Sequence, residues 1–187
     1  HGTGLDTFWR GPGYVQRQVQ GWSGRYRAAR TDDVPDGETV IAWLAAHEPE
    51  DSPARLIHGD WRLDNLVLDP EDLSRVRAVL DWEMATVGDP LMDLGAAMAY
   101  WVQADDDPVF QMFKLQPSNL PGMPTREQIV AHYLRRTGLV LPEPGWLFYE
   151  VYGLFRLAVI AQQIWYRYRA GQPHNPAFAH LGAATTH

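Results

Sequence analysis

The chain contains no cysteine. That excludes a disulfide scaffold, cysteine-ligated zinc, an iron–sulfur centre and thiol catalysis. Lysine is almost missing as well: Lys114 stands alone against 15 arginines, which reads as coding bias rather than chemistry. Positive charge is not in excess. The formal net charge is -7, and a phosphate backbone is gripped by basic patches, so a nucleic-acid partner is not expected. No apolar run reaches the roughly 18 residues that a membrane span needs, so no membrane partner is expected either. The opening residues His1, Gly2 and Thr3 lack the basic-then-apolar pattern of a secretory leader, and the expected compartment is a reducing cytoplasm. Internal repeats and low-complexity tracts are absent. The chain opens on a histidine rather than a methionine, which suggests the trimmed part of something longer.

What is present has a globular balance, with 45% hydrophobic and 21% charged residues among 187. That length fits one domain or one large lobe, able to bury roughly 70% of its unfolded surface. Val15, Val19, Trp22 and Tyr26 recur at helical spacing and predict a helix from Tyr14 to Arg30, punctuated by Gly11, Pro12 and Gly13. A second helix is predicted from Glu38 to His47, with Val40, Ile41, Trp43 and Leu44 inward. The middle then changes to short strands, Arg55 to His58, Leu66 to Leu68 and Val76 to Leu80, the last two joined by a turn at Asp69-Pro70-Glu71-Asp72. After Pro90 the chain reads as helical, with Leu91, Leu94, Met98 and Trp101 on one face. Asp105-Asp106-Asp107-Pro108 breaks it, and Gln116 to Pro124 is a loop. Thr125 and Gln128 form a capping-box signal for a helix that stops at Gly138. The longest helix runs from Pro144 to Ala170, apolar all round and therefore central, with Gly171 and Pro173 as its terminators. The expected fold class is α+β, mainly helical, with a small β-hairpin region in its first half.

The polar residues of suspicious spacing gather in that region. Ile57 to Asn65 reads Ile-His-Gly-Asp-Trp-Arg-Leu-Asp-Asn, and Leu80 to Asp93 reads Leu-Asp-Trp-Glu-Met-Ala-Thr-Val-Gly-Asp-Pro-Leu-Met-Asp. Asp60 and Asn65 bracket a loop between two strands, and Asp81 follows the next strand. Two carboxylates and an amide at adjacent strand ends can converge, and hard oxygen ligands of that kind suit magnesium.

His58-Gly59-Asp60 with Asn65 resembles the catalytic loop of the aminoglycoside phosphotransferase and choline kinase-like family. Asp81-Trp82-Glu83 resembles its metal-binding motif, and Gly88-Asp89-Pro90 with Asp93 matches the segment that follows. The wording of Phe8-Trp9-Arg10 to Trp22 and of Trp61-Arg62-Leu63-Asp64-Asn65 is similar to the branch associated with acyl-CoA dehydrogenases. The resemblance covers the whole chain as the C-terminal lobe of a protein-kinase-like fold, residues 1–187. It implies an ATP-dependent phosphotransferase acting on the hydroxyl of a small-molecule alcohol, with magnesium and ATP as cofactors. Asp60 would be the catalytic base, and Asn65 and Asp81 the metal and cofactor ligands.

The departures are as telling. The family's N-terminal nucleotide lobe, with its glycine-rich loop and strand lysine, is absent from this chain, so the chain alone is expected to be a poor or dead kinase. Position 59 is glycine where protein kinases carry arginine, and position 83 is glutamate where they carry glycine. Asp60 can also be read as a turn cap, Asn65 as a turn residue and Asp81 as a helix cap. His58, Asp89 and Asp93 read as structural, with Asp89 an N-cap before Pro90 and Asp93 a tie to the catalytic loop. Arg62 and Asp64 stand open as substrate contacts, and Glu83 reads as solvent-facing. The aromatics of the long helix read as core, with Tyr149, Tyr152, Arg156 and Trp165 as candidates for a cleft. Two other classes compete: a pseudokinase-like binding module without catalysis, and a metal-dependent hydrolase built on His58 and Asp60.

Overall fold

The computed structural model describes residues 4–112 and 114–172. The fold is α+β and mainly helical. Helix α1 (Tyr14–Ala29) buries Val15, Val19, Trp22 and Tyr26, the face expected from their spacing. Its N-terminus is not capped locally. The Asp51 carboxylate instead accepts the N–H groups of Gly13, Tyr14 and Val15 at 2.6, 2.9 and 2.9 Å, which supplies acceptors for donors that a helix start leaves open. Helix α2 (Glu38–Ala46) buries Ile41 and Leu44. Val40, expected inward, is exposed, and Trp43 is half-buried with its ring stacked on His47 at 4.4 Å. On so short a helix only one stripe meets the neighbours, and Val40 lies at its edge, about 70° from the middle of the Ile41–Leu44 stripe.

The β region holds two separate two-stranded sheets. Strand β1 (Arg55–Ile57) pairs antiparallel with β4 (Thr86–Gly88), Leu56 facing Val87. Strand β2 (Leu66–Leu68) pairs antiparallel with β3 (Val76–Val79) as the expected hairpin. Its first turn residue, Asp69, is buried and holds Arg77 at 2.7 Å. Strand β4 is not anticipated from sequence: Thr-Val-Gly is too short to display a period of two.

Helix α3 (Pro90–Ala99) starts at an Asp89 cap with Pro90 in the first helical position and is almost wholly buried. It stops before Trp101, which packs beyond the helix end with its indole N–H on the Pro124 carbonyl at 2.9 Å. A short helix α4 (Pro108–Met112) follows the aspartate run. Asp106 within that run is half-buried. It receives two hydrogen bonds from Arg126, each at 2.6 Å, and so ties the run to the start of α5 (Arg126–Thr137). The capping box of Thr125 with Gln128 and the left-handed Gly138 bound α5 as its sequence announces.

Helix α6 (Trp146–Arg169) is the axis of the core. Phe148, Tyr149, Tyr152, Phe155 and Val159 are buried against α1, α2 and α3, and fully burying a side chain of this kind is worth roughly 1.5–3 kcal/mol. The helix is not buried all round: Leu147, Leu154 and Tyr166 are exposed. Gly171 ends it in the left-handed conformation, and Pro173 lies outside the described residues. Helices α3 and α6 meet at two glycines. A Cβ on Gly153 would stand 2.1 Å from the Gly95 carbonyl oxygen, and one on Gly95 would stand 2.4 Å from that of Tyr149. This backbone-to-backbone crossing places α6 directly behind the loop that leaves β1.

Candidate active site

The pairing of β1 with β4 brings two loops side by side. One leaves β1 at His58 and ends in a 3-10 turn, Leu63–Asn65. The other follows β3 through Asp81 and the turn Trp82–Met84 into β4. Contact is close enough that a Cβ at Gly59, whose φ is +82°, would stand 2.5 Å from the Met84 carbonyl oxygen. Glycine is required at 59 on both counts.

His58 is the hub of the junction and is buried. Its Nδ1 accepts the Asp60 N–H at 3.3 Å, and its Nε2 lies 2.8 Å from the Leu80 carbonyl. Those partners assign the proton to Nε2, since the carbonyl can only accept. Leu80 in turn donates its N–H to the Asn65 carbonyl at 2.8 Å. Asn65 donates its side-chain amide to the Asp60 carbonyl at 2.9 Å. The four bonds close a ring through His58, Asp60, Asn65 and Leu80. Asp60 and Asn65 lie in this ring, and Asp81 is the residue next to it. The Trp82 ring sits over His58 with centroids 4.8 Å apart.

Asp81 is the one described non-glycine residue with positive φ, at 64°. Aspartate tolerates this region better than most side chains, and such outliers gather at functional sites. Its side chain is exposed, as is that of Glu83. The amide nitrogen of Asn65 is occupied by Asp60, which leaves Oδ1 as the atom able to meet a cation. Among the described residues, no three His, Asp or Glu side chains group to hold a metal by themselves. Asn65 and Asp81, the ligands the resemblance implies, carry hard oxygen atoms of the kind that could hold magnesium shared with phosphate oxygens and water.

The surroundings hold the loop from below. Asp93 on α3 accepts the N–H groups of His58 and Gly59, both at 2.9 Å. Burial pushes its carboxyl upward, against the pull of those two donors and of Arg156. Asp89 caps α3 through Leu91 at 2.7 Å and also accepts the Ser52 N–H at 2.7 Å. Arg62 lies 3.8 Å from the Asp60 carboxylate and 3.1 Å from that of Asp64, with its guanidinium 5.4 Å from the Tyr100 ring centroid. Its Nε has no hydrogen-bond partner. Tyr149 and Tyr152 are core residues, and the indole N–H of the half-buried Trp165 donates to Asp33 at 3.1 Å. Two further side chains support the loop in a role that the sequence did not announce. The Gln116 side chain accepts the Leu63 N–H at 2.7 Å and donates to the Tyr100 carbonyl at 3.1 Å. Arg156, expected at a cleft, donates to the Gly59 carbonyl at 2.5 Å.

Known proteins carry the same text and shape. Residues 2–129 match the sequence model of the phosphotransferase enzyme family. Acyl-CoA dehydrogenase family member 10 of Mus musculus is 38% identical over 184 residues, covering 98% of this chain and 17% of that protein. Acyl-CoA dehydrogenase family member 11 of Homo sapiens is 36% identical over 168 residues, covering 89% and 21%. The chain thus spans about a fifth of these relatives. A crystal structure from Ralstonia eutropha JMP134, described as an aminoglycoside phosphotransferase, superposes with a TM-score of 0.78 at 30% identity, covering 97% of this chain and 55% of that one. The apo form of a thermostable mutant of the aminoglycoside phosphotransferase APH(4)-Ia shares the fold, with a TM-score of 0.51 at 17% identity, covering 91% and 50%. The resemblance read from the loop and its flanking motifs, including the branch associated with acyl-CoA dehydrogenases, is borne out, and the chain belongs to the phosphotransferase enzyme family.

Proposed function

We propose that this chain is the catalytic and substrate-binding lobe of a small-molecule phosphotransferase, moving the γ-phosphoryl group of ATP to an alcohol hydroxyl with magnesium. The observation that carries the reading is the hydrogen-bonded ring through His58, Asp60, Asn65 and Leu80. It ties a candidate base to one oxygen donor, Asn65, with the second, Asp81, on the residue next to the ring, and positioning is most of what phosphoryl transfer asks of a protein. Asp60 accepts the proton of the substrate hydroxyl as its oxygen bonds to the γ-phosphorus. The bond from that phosphorus to the bridging oxygen breaks, and ADP leaves with the electron pair. Asn65 through Oδ1 and Asp81 through its carboxylate would hold the magnesium, which when bound neutralises the phosphate oxygens. Asp93, from below, keeps the His58 and Gly59 amides in place while charge moves above them.

The nucleotide requires a second lobe. Val67, Leu68 and Val76 on the β2–β3 hairpin, with Leu80 and Trp82 after it, are exposed apolar side chains that suit such a lobe. For the acceptor, a hydroxyacyl thioester or similar lipid-derived alcohol is the better candidate than an aminoglycoside. Arg62 beside Asp60 is unfavourable to a polycation, and the relatives carry acyl-CoA dehydrogenase names.

The test is ADP release from ATP by the natural full-length protein, with a hydroxyacyl-CoA and an aminoglycoside compared as acceptors. Asp60→Asn should lower turnover by roughly 10²–10⁴-fold while leaving the fold intact. Acceptor-dependent turnover that survives this substitution refutes the assignment of the base.

A further inference from the structure

Arg156 lies in the middle of α6 and is 8% exposed. A buried guanidinium is costly unless its donors are used. Here the guanidinium carbon lies 5.2 Å from the centroid of the Trp22 ring of α1, and Nη2 donates to the Gly59 carbonyl at 2.5 Å. That carbonyl belongs to the peptide joining Gly59 to Asp60. The N–H of the same peptide is the one bound by His58 Nδ1. The preceding peptide N–H, of Gly59, is held by Asp93 from α3. Both peptide groups around Gly59 are therefore fixed from outside the loop, one by α3 and the other by α6. The Met84 carbonyl closes a third side.

A carboxylate aimed at a hydroxyl must hold its direction to a fraction of an ångström. The direction of the Asp60 side chain is set by the plane of the peptide at its own nitrogen. With a glycine at 59, the local backbone has no stiffness of its own to supply. We propose that Arg156 is the positioning residue that sets this plane and hence the aim of Asp60. The inference rests on the reading of Asp60 as the base, and it deepens that reading. It gives α6 a second task besides core packing: delivering a planar, charged donor to a carbonyl about a hundred residues earlier in the chain. The planar fork and fixed charge of arginine suit that task better than the mobile ammonium of lysine.

Amide hydrogen exchange in the full 187-residue chain reads the clamp without requiring turnover. Arg156→Met keeps the length of the side chain and removes its donors. Exchange at the Gly59 and Asp60 amides should accelerate by roughly tenfold to hundredfold, the loss expected for one charge-assisted hydrogen bond. Amides of α6 around Val159 open only with global unfolding and report any loss of overall stability, so the clamp is read as loop acceleration in excess of theirs. Arg156→Lys should give an intermediate acceleration, and it provides the readout if the methionine variant does not fold. In Arg156→Ala, added ethylguanidinium should slow loop exchange again where ethylammonium does not. In the natural full-length protein the methionine variant should lower kcat with the KM for ATP unchanged. Unchanged loop exchange, or acceleration spread evenly over α6 and the core, overturns the proposal. Loosening confined to the loop, in a protein that shows no phosphoryl transfer before substitution, supports the clamp and overturns only the phosphotransferase reading.

Discussion

Gly153→Ala places a methyl group where α6 crosses α3. The new Cβ would stand 2.1 Å from the Gly95 carbonyl oxygen, 2.7 Å from its carbon and 3.3 Å from the Ala96 nitrogen. All three are backbone atoms of a helix and cannot swing aside, so the helices must separate by about an ångström to restore van der Waals contact. Overpacking of this kind costs about 1–3 kcal/mol, and rigid neighbours place it at the upper end. Alanine offsets up to about 1 kcal/mol of that through helix propensity. The net expectation is a loss of about 2 kcal/mol. Gly24→Ala isolates the contact, because Gly24 is an exposed residue inside α1 and a Cβ there meets nothing within 4 Å. It should stabilise by about 0.5–1 kcal/mol through propensity alone. The two variants, identical in chemistry, should thus differ by about 3 kcal/mol, or roughly 6–12 °C in Tm for a chain of this size. Urea unfolding followed by far-ultraviolet circular dichroism measures both. Equal stability of the two variants, or a gain in Gly153→Ala, refutes the close crossing.

Three further outcomes follow from the same geometry. Asp51→Ala removes the acceptor of three N–H groups at the start of α1; it should cost about 1–2 kcal/mol in urea unfolding, with Asp51→Asn milder because one acceptor remains. Burial pushes the Tyr152 hydroxyl from 10.0 up to about 12, and it raises Tyr14 and Tyr149 too. Between those values the folded state keeps a proton that the unfolded state has released, so stability falls as pH rises from 10 to 12, by up to about 1.4 kcal/mol per pH unit for each such group. Tyr152→Phe should flatten that slope by one proton, and an unchanged slope would contradict the assignment. Burial would raise the Asp106 carboxyl, but the Arg126 hydrogen bonds and the Gln103 N–H hold it below 3.8. Its contribution is therefore present above that value and lost as pH falls through the folded pKa. Acid titration of Asp106→Asn should show a shallower loss of stability below about pH 4 than the unsubstituted chain.

Local rules account for much of the fold. The buried face of α1, the hairpin turn at Asp69 and the caps at Asp89, Thr125 and Gly138 rest on residues a few positions apart, so their spacing can be read directly. The loop with His58, Asp60 and Asn65, and the later Asp81, stood out because unusual polar residues follow short strands. Strand β4 did not, since three residues carry no period and its pairing partner is about thirty positions earlier. The apolar run of α6 read as buried all round because composition alone does not say which face meets α1 and α3.

The amino-acid sequence by itself determined where α1, α2 and α5 lie, the family of the chain and the segment in which its candidate chemistry lies, because those depend on side-chain type and near-neighbour spacing. Only the tertiary structure decided what holds that segment in place. Asp51 caps a helix from 37 residues away, Gln116 supports Leu63 from 53 residues away, and Arg156 reaches Gly59 from 97 residues away. A polar side chain takes whichever unpaired backbone group the packing of distant elements delivers to it, and no local pattern encodes that meeting.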